Sequence, residues 1–209
     1  MTTPKTHPGP MVLVAGHWRH LPPTAADINL REIVSAACTL QRFNGQLRTG
    51  FSDLPAFVTL GHHLLAGVLH MTANGQDVEV IREFFAHDLH EVWMGDLISP
   101  IKHLSPALAA IWKDIECTVE APIRSFLGLP LEIPPEHKEI VKKYDTLAIT
   151  LETTAVGCYH HQLDRITAWH GEIPSQQALD IYRQICSETY ATPALLMGQA
   201  KRLFPGKVV

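Results

Sequence analysis

Apolar residues recur at helical spacing along most of this chain, and the pattern predicts an all-α fold. The Asp27-Ile28-Asn29 segment could cap the first helix, and Gly128 is expected to end the fourth. Six helical segments are predicted, over residues 30–42, 55–71, 78–94, 106–127, 136–160 and 175–203, the last with a break near Pro193.

The N-terminal part of the chain departs from this helical pattern. Residues 11–15 and 17–21 flank Gly16 and are followed by Pro22-Pro23, which predicts a short β-hairpin. The polar, proline-rich residues 1–10 are predicted to be flexible. Because no repeat, low-complexity run or linker interrupts the rest, residues 11–209 are predicted to form a single helical domain.

Composition excludes several classes of protein. With 209 residues, of which 46% are hydrophobic and 18% charged, the chain is predicted to be soluble and globular, with one real core. A net charge of -4 argues against a nucleic-acid polymer as partner, and no segment has the length of a membrane span. Four scattered cysteines without Cys-x-x-Cys spacing indicate free thiols in a reducing cytoplasm, and thirteen histidines raise the expectation of a metal site.

The His87-Asp88 pair lies in the middle of an apolar, helix-like run. Phe84 and Phe85 precede Asp88 by four and three residues, on the face where a helix normally buries hydrocarbon. An unpaired buried carboxylate costs several kcal/mol, so Asp88 is expected to have a cationic partner or a metal.

Two further candidate ligand groups lie on other predicted helices. The His62-His63 pair is on the second, and Asp145 is on the fifth, where Val141 and Ala148 indicate a core-facing position. Inward acids and histidines in one small helical protein are better satisfied around one cation than separately. Imidazole and carboxylate without thiolate suit Mn, Co, Fe, Zn or Mg.

The order His … His-Asp … Asp, with the residues around it, carries a family resemblance. Arg42-Phe43 precedes the first histidine, His62 lies within Gly61-His62-His63-Leu64, and Asp145 ends Val141-Lys142-Lys143-Tyr144-Asp145. The middle block contains His87, Asp88, Glu91, Gly95, Asp96, Pro100 and Lys102. Over residues 28–154 this arrangement resembles the HD-domain metal-dependent phosphohydrolases. It is most similar to the bacterial and phage branch that acts on deoxyribonucleotides, which includes 5′-deoxynucleotidases and phage dATP triphosphohydrolases.

The resemblance implies an HD-type helical bundle and a set of site residues. It implies a divalent metal ion (Co, Mn, Mg, Zn or Fe) with the ligands His62, His87, Asp88 and Asp145. His62 is preferred to His63 because it better matches the position of the family's first ligand. Glu91 and Asp96 are the expected catalytic residues, and the expected substrate contacts are Arg42, Phe43, Lys102 and Arg48.

The expected function is metal-dependent hydrolysis of a small deoxyribonucleotide, without a nucleic-acid polymer or a membrane as partner. A dATP-like triphosphohydrolase is preferred because the compact chain and the Arg-Phe-Asn-Gly-Gln loop resemble the phage branch, and a 5′-deoxynucleotidase acting on monophosphates is the alternative. An HD-type di-iron oxygenase and a non-catalytic nucleotide sensor also stay open, although Glu91 and Asp96 argue against the sensor. Analogy further implies a homo-oligomer in the cytoplasm of a bacterium or a phage-infected host.

Overall fold

A computed structural model of the chain describes residues 9–45, 58–155, 175–187 and 192–208. Its first elements are two antiparallel strands, β1 (Met11–Val14) and β2 (His17–His20), in which Leu13 pairs with Trp18. Ala15 and Gly16 form the turn with φ angles of 47° and 84°, the left-handed backbone that a two-residue hairpin turn requires. The predicted hairpin is confirmed.

Helices make up most of the remaining described residues, as the apolar periodicity predicts. In chain order they are α1 (Leu30–Ala37), α2 (Leu60–Ala73), α3 (Val78–Ala86), α4 (Glu91–Met94), α5 (Ser99–Lys102), α6 (Pro106–Leu127), α7 (Pro135–Ala155), α8 (Gln176–Ser187) and α9 (Thr192–Leu203). Two 3₁₀ turns, Ala25–Asp27 and Phe43–Gly45, connect some of them. Across the described ranges, none of the helices combines the length and the apolarity that crossing a membrane requires.

Helix boundaries agree with the prediction where local capping decides them. Helix α6 has its predicted bounds, because the Ser105 side chain accepts a hydrogen bond from the Leu108 N–H and Gly128 ends the helix with a φ of 73°. Within the last predicted segment the structure describes α8 and α9, with Pro193 in the first turn of α9, and residues 188–191 between them lie outside the described ranges.

The first predicted helix ends earlier than expected, at Ala37 rather than residue 42. The chain after it pairs with the segment that leads into α2 instead of continuing the helix. The Arg42 N–H donates to the Val58 carbonyl at 2.9 Å, and the Leu60 N–H donates to the Leu40 carbonyl at 2.9 Å. Helix α2 accordingly begins at Leu60 rather than at residue 55, and Arg42 is held beside its N-terminus.

Helix α2 lies at the centre of the bundle. It contacts α1, α3, α7, α8 and α9, and every residue from Leu60 to Val68 is buried. A helix buried on all sides loses the one-sided apolar stripe of a surface helix. Both histidines of the His62-His63 pair are therefore in the core.

Gly67 allows α2 and α3 to approach closely. A Cβ atom at this position would lie 2.0 Å from Cζ of Phe84, a fully buried ring. Gly67→Ala is therefore expected to lower the free energy of unfolding by about 1–3 kcal/mol or more, because the ring has no free space to move into. Urea unfolding followed by circular dichroism measures this.

Gly198→Ala in α9 is the matched control, since no heavy atom lies within 4 Å of the added methyl group. It is expected to leave stability unchanged or raise it by about 0.4–1 kcal/mol. Equal unfolding midpoints for the two variants would contradict the close packing of α2 on α3.

Candidate active site

The His87-Asp88 pair lies in a tight turn between α3 and α4, not inside one continuous helix as predicted. Backbone bonds from residue i to i+3 run through this turn, including Leu89 N–H to the Ala86 carbonyl and Glu91 N–H to the Asp88 carbonyl. His87 Nδ1 also lies 2.5 Å from the Phe84 carbonyl oxygen, which a regular helix would offer to the backbone N–H of Asp88. Local 3₁₀ winding of this kind often occurs at functional positions.

Four side chains from three parts of the fold converge at this turn. They are His63 of α2, His87 and Asp88 of the turn, and Asp145 of α7, and one possible ligand atom of each lies within 4.8 Å of the others. His63 Nε2 is 3.4 Å from Asp145 Oδ1 and 3.6 Å from Asp88 Oδ2, and His87 Nε2 is 3.1 Å from Asp88 Oδ2. These four residues are called the His/Asp cluster below.

The structure changes the choice between the two adjacent histidines. The His62 ring is turned toward the N-terminus of α2, where its Nδ1 accepts a hydrogen bond from the Thr59 N–H at 3.1 Å and lies 2.8 Å from the Thr59 hydroxyl. Burial lowers the pKa of His62 to about 4, so this ring is neutral. His63, and not the predicted His62, belongs to the His/Asp cluster.

The donor atoms of the cluster suit a divalent cation. Nε2 of His63 and Nε2 of His87 are both buried without a hydrogen-bond partner, although the second nitrogen of each ring is engaged. Two imidazole nitrogens and two carboxylates are ligands that Zn, Mn, Fe and Co accept in proteins. Burying unpaired polar atoms is costly, and a shared cation would satisfy all four groups together.

Electrostatic interactions within the cluster shift several pKa values. Burial would raise the pKa of Asp88, but the imidazoles of His87 and His63 hold it well below its usual range. Burial would lower the pKa of His87, but Asp88 and Asp145 raise it well above its usual range. Burial and the negative charge of Asp88 raise the pKa of Glu91 well above its usual range. Because metal binding needs neutral imidazole, a cation bound here would compete with a proton for Nε2 of His87.

A cavity of about 740 Å³ opens beside the cluster. It is lined by Arg42, Phe43, Asp88, Glu91, Asp96, Leu97, Ile98, Ser99, Pro100, Lys102, His103, Asp145 and Ile149. Two cluster carboxylates are therefore at its wall, together with most of the catalytic and substrate-contacting residues predicted from sequence. Its size is within the range of small-molecule sites.

Arg42 is the buried cation of this cavity. Its Nη1 atom lies 3.6 Å from Asp88 Oδ2, 3.8 Å from Glu91 Oε2 and 4.0 Å from Asp96 Oδ2. The backbone N–H of Phe43 donates to Asp96 Oδ2 at 3.1 Å, and the Phe43 ring centroid is 5.5 Å from the Arg42 guanidinium. Glu91 Oε2 is buried without a hydrogen-bond partner, so it can accept a proton or orient a water molecule.

Lys102 reaches the same cavity from α5. Its Nζ atom lies 2.8 Å from Glu116 Oε1, which also accepts a hydrogen bond from the Trp112 ring N–H at 2.8 Å. Burial would raise the pKa of Glu116, but hydrogen bonds from His90 and Lys102 lower it to about 2. The ion pair with Glu116 therefore holds the positively charged Lys102 side chain at the cavity wall.

Two acids at the site, one buried and one partly buried, were not among the residues predicted from sequence. Glu152 is fully buried, with Oε1 2.8 Å from His63 Nδ1 and Oε2 3.2 Å from Arg42 Nε. A signal for it exists, because Glu152 follows Asp145 by seven residues and so lies on the same face of α7. No sequence spacing indicates Glu116. Its helical neighbour Trp112 is not a site residue, and Lys102, which it contacts at the cavity, is on another helix. The predicted substrate contact Arg48 lies outside the described residues.

Comparison with known proteins points to the same part of the chain. Residues 57–156 match a family model described as 5′-deoxynucleotidase YfbR-like. This match covers just under half of the chain and includes the whole His/Asp cluster and Glu91. A protein of Rhodobacter capsulatus, described as uncharacterised, is 29% identical over 148 residues that cover 70% of this chain and 72% of that protein. The matched family consists of metal-dependent HD-domain phosphohydrolases, and the matched residues contain all four members of the His/Asp cluster.

Proposed function

We propose that this protein is a metal-dependent 5′-deoxynucleotidase that hydrolyses deoxynucleoside monophosphates to deoxynucleosides and orthophosphate. The observation that carries the proposal is the His/Asp cluster at the wall of a nucleotide-sized cavity, within the range that matches the 5′-deoxynucleotidase family model. The metal ligands proposed are His63, His87, Asp88 and Asp145.

The charge of the cavity supports a monophosphate rather than the triphosphate preferred from sequence. Among the described lining residues, four carboxylates (Asp88, Glu91, Asp96 and Asp145) face two cations, Arg42 and Lys102. Both cations already have acidic partners, since Arg42 contacts Glu152 and Lys102 contacts Glu116. A phosphate monoester brings a charge of about -2. A triphosphate brings roughly twice that charge and would need cationic side chains beyond these two.

The chemistry divides between the cation and the side chains around it. A divalent cation in the cluster would polarise the phosphate and lower the pKa of its coordinated water. Arg42 and Lys102 neutralise the phosphate oxygens as negative charge develops on them. Glu91, one turn beyond the His87-Asp88 pair, accepts a proton from the attacking water, and its raised pKa suits that role near neutral pH. Asp96 holds the Phe43 backbone at the cavity edge, where it can face the sugar, and the proton that Glu91 takes from water can be returned to the leaving 5′ oxygen.

Incubation of the Co²⁺- or Mn²⁺-loaded protein with dAMP and with dATP tests the proposal. Orthophosphate and deoxyadenosine should form from dAMP, whereas dATP should be a much poorer substrate because its triphosphate exceeds the charge that Arg42 and Lys102 can neutralise. Triphosphate released from dATP with dAMP untouched would contradict the proposal and support the triphosphohydrolase.

Metal stoichiometry in the same preparation separates two other classes of protein. One cation per chain is expected from the His/Asp cluster, and two tightly bound irons would support an HD-type di-iron oxygenase. Binding of nucleotide without any turnover would support a non-catalytic sensor.

A further inference from the structure

Glu152 connects the His/Asp cluster to the cationic side of the cavity. Its side chain is fully buried in α7, and its two oxygens have different partners. Oε1 lies 2.8 Å from Nδ1 of His63, and Oε2 lies 3.2 Å from Nε of Arg42. One carboxylate therefore contacts both a proposed metal ligand and the proposed phosphate-binding guanidinium.

Each contact fixes which atom of the partner faces the site. A proton on His63 Nδ1 that is donated to Glu152 leaves Nε2 as the lone-pair nitrogen, and Nε2 is the atom that lies 3.4 Å and 3.6 Å from the two cluster aspartates. On Arg42, the bond through Nε leaves the Nη1 side of the guanidinium directed toward Asp88 and Glu91.

Neutralising charge does not account for Glu152. Arg42 Nη1 already has three other carboxylates within 4.0 Å, those of Asp88, Glu91 and Asp96. Burying a further acid beside them adds desolvation cost and repulsion, and buried ion pairs add little net stability. A buried carboxylate that is not needed to neutralise Arg42 fits a role in orienting the two side chains it contacts, His63 and Arg42.

We propose that Glu152 is a positioning residue that sets the metal ligand His63 and the phosphate-binding Arg42 in one fixed geometry. This inference rests on the proposed function for the role of Arg42, whereas the effect on metal binding through His63 does not depend on which phosphate ester is hydrolysed. Glu152 acts on the metal through His63 and on the phosphate through Arg42, and it contacts neither directly.

Glu152→Gln tests the effect of Glu152 on metal binding through His63. A carboxamide has one acceptor oxygen where the carboxylate has two, so it can serve His63 or Arg42 but not both, and it loses the negative charge that favours the His63 tautomer. Titration of the metal-free protein with Mn²⁺, with free Mn²⁺ measured by electron paramagnetic resonance, should show affinity about 10–100-fold weaker than wild type.

The effect of Glu152 on phosphate binding through Arg42 is tested by calorimetry, with inorganic phosphate at saturating Mn²⁺. Glu152→Gln should weaken phosphate binding about tenfold, the factor expected when one charge-assisted hydrogen bond is lost. In an Arg42→Met background the same substitution should leave phosphate affinity unchanged but still weaken Mn²⁺ binding. This double-mutant comparison separates positioning through Arg42 from general loosening of the fold.

Thr150→Val is the matched control, because Thr150 is also buried in α7 and its side-chain hydroxyl donates to the Thr146 carbonyl of the same helix. It should bind Mn²⁺ and phosphate as wild type does. If Glu152→Gln does not fold, Glu152→Asp keeps the buried charge but retracts the carboxylate by one methylene group, and the same two losses are expected.

Wild-type Mn²⁺ affinity in a folded Glu152 variant would overturn the proposal. So would an equal loss of phosphate affinity with and without Arg42. Because neither measurement uses turnover, a protein that fails to hydrolyse dAMP would refute the proposed function and leave this test of Glu152 intact.

Discussion

Asp88→Asn is expected to abolish phosphate release and to weaken divalent-metal binding by more than about 100-fold, because even loss of a group behind a metal ligand costs 10–100-fold. Asp88 Oδ2 is the central atom of the cluster, 3.1 Å from His87 Nε2 and 3.6 Å from both His63 Nε2 and Arg42 Nη1. Asparagine keeps the size of the side chain and removes the charge that a cation requires.

The fold should survive this substitution, which makes the result interpretable. Asp88 is close to other acids, so removing its charge relieves repulsion with Glu91 and Asp145 while Arg42 keeps Glu152 as its partner. Without metal, the melting temperature should fall only moderately, because the relieved repulsion offsets part of the attraction to His87 and His63 that is lost. The wild-type protein should gain about 2.7 kcal/mol of stability at a metal concentration 100 times its Kd, and the variant should gain almost none.

Asp114→Asn is the control for the loss of one negative charge, because Asp114 is exposed on α6 and outside the cluster. It should show wild-type metal binding and phosphate release. Persistence of both properties in Asp88→Asn would mean that the metal and the chemistry are elsewhere in the chain.

Local sequence signals predict an element's position correctly where one capping residue or one short spacing determines it. Ser105 and Gly128 define both ends of α6, and Asp88 and Glu91, three residues apart in the sequence, both line one cavity. Periodicity does not predict the break of the helix over 78–94, because the break involves a side chain: the Phe84 carbonyl is contacted by His87 Nδ1 and accepts from the His87 N–H instead of continuing the helical pattern to Asp88.

The choice between His62 and His63 illustrates what periodicity cannot decide. Two adjacent helical residues point in directions about 100° apart, but α2 is buried on all sides, so both directions lead into the core. Two contacts decide which ring faces the cluster. The Thr59 N–H donates to the His62 ring at the helix cap, and Glu152, 89 positions later on another helix, contacts the His63 ring. Contacts over that sequence distance exist only after the bundle has formed.

Arg124→Leu is expected to cost about 3–5 kcal/mol of stability, the penalty for leaving the other member of a buried ion pair alone. Arg124 is fully buried in α6, and its Nη2 atom donates to Glu83 Oε2 of α3 at 2.5 Å. Its Nε–H donates to the Pro130 carbonyl at 2.6 Å. The substitution therefore strands a carboxylate that is only 2% exposed, together with a backbone carbonyl.

Thermal and urea unfolding measure the effect, which should lower the melting temperature by on the order of 10 °C for a chain of this length. Arg183→Leu is the matched control, because Arg183 forms an exposed ion pair with Asp180 one turn away on α8, and such pairs contribute about 0–1 kcal/mol. A loss of similar size in both variants would show that the burial of Arg124 is not what makes it costly to replace.

Adding Glu83→Leu to Arg124→Leu separates the ion pair from the rest of the packing. The double variant should be more stable than Arg124→Leu alone, because the stranded carboxylate is removed and two apolar side chains take its place. Part of the loss should remain, since the Pro130 carbonyl still lacks its donor. A double variant as unstable as the sum of the two single variants would mean that Glu83 and Arg124 act independently. Metal affinity should be unchanged in every folded member of this set, because neither residue belongs to the His/Asp cluster.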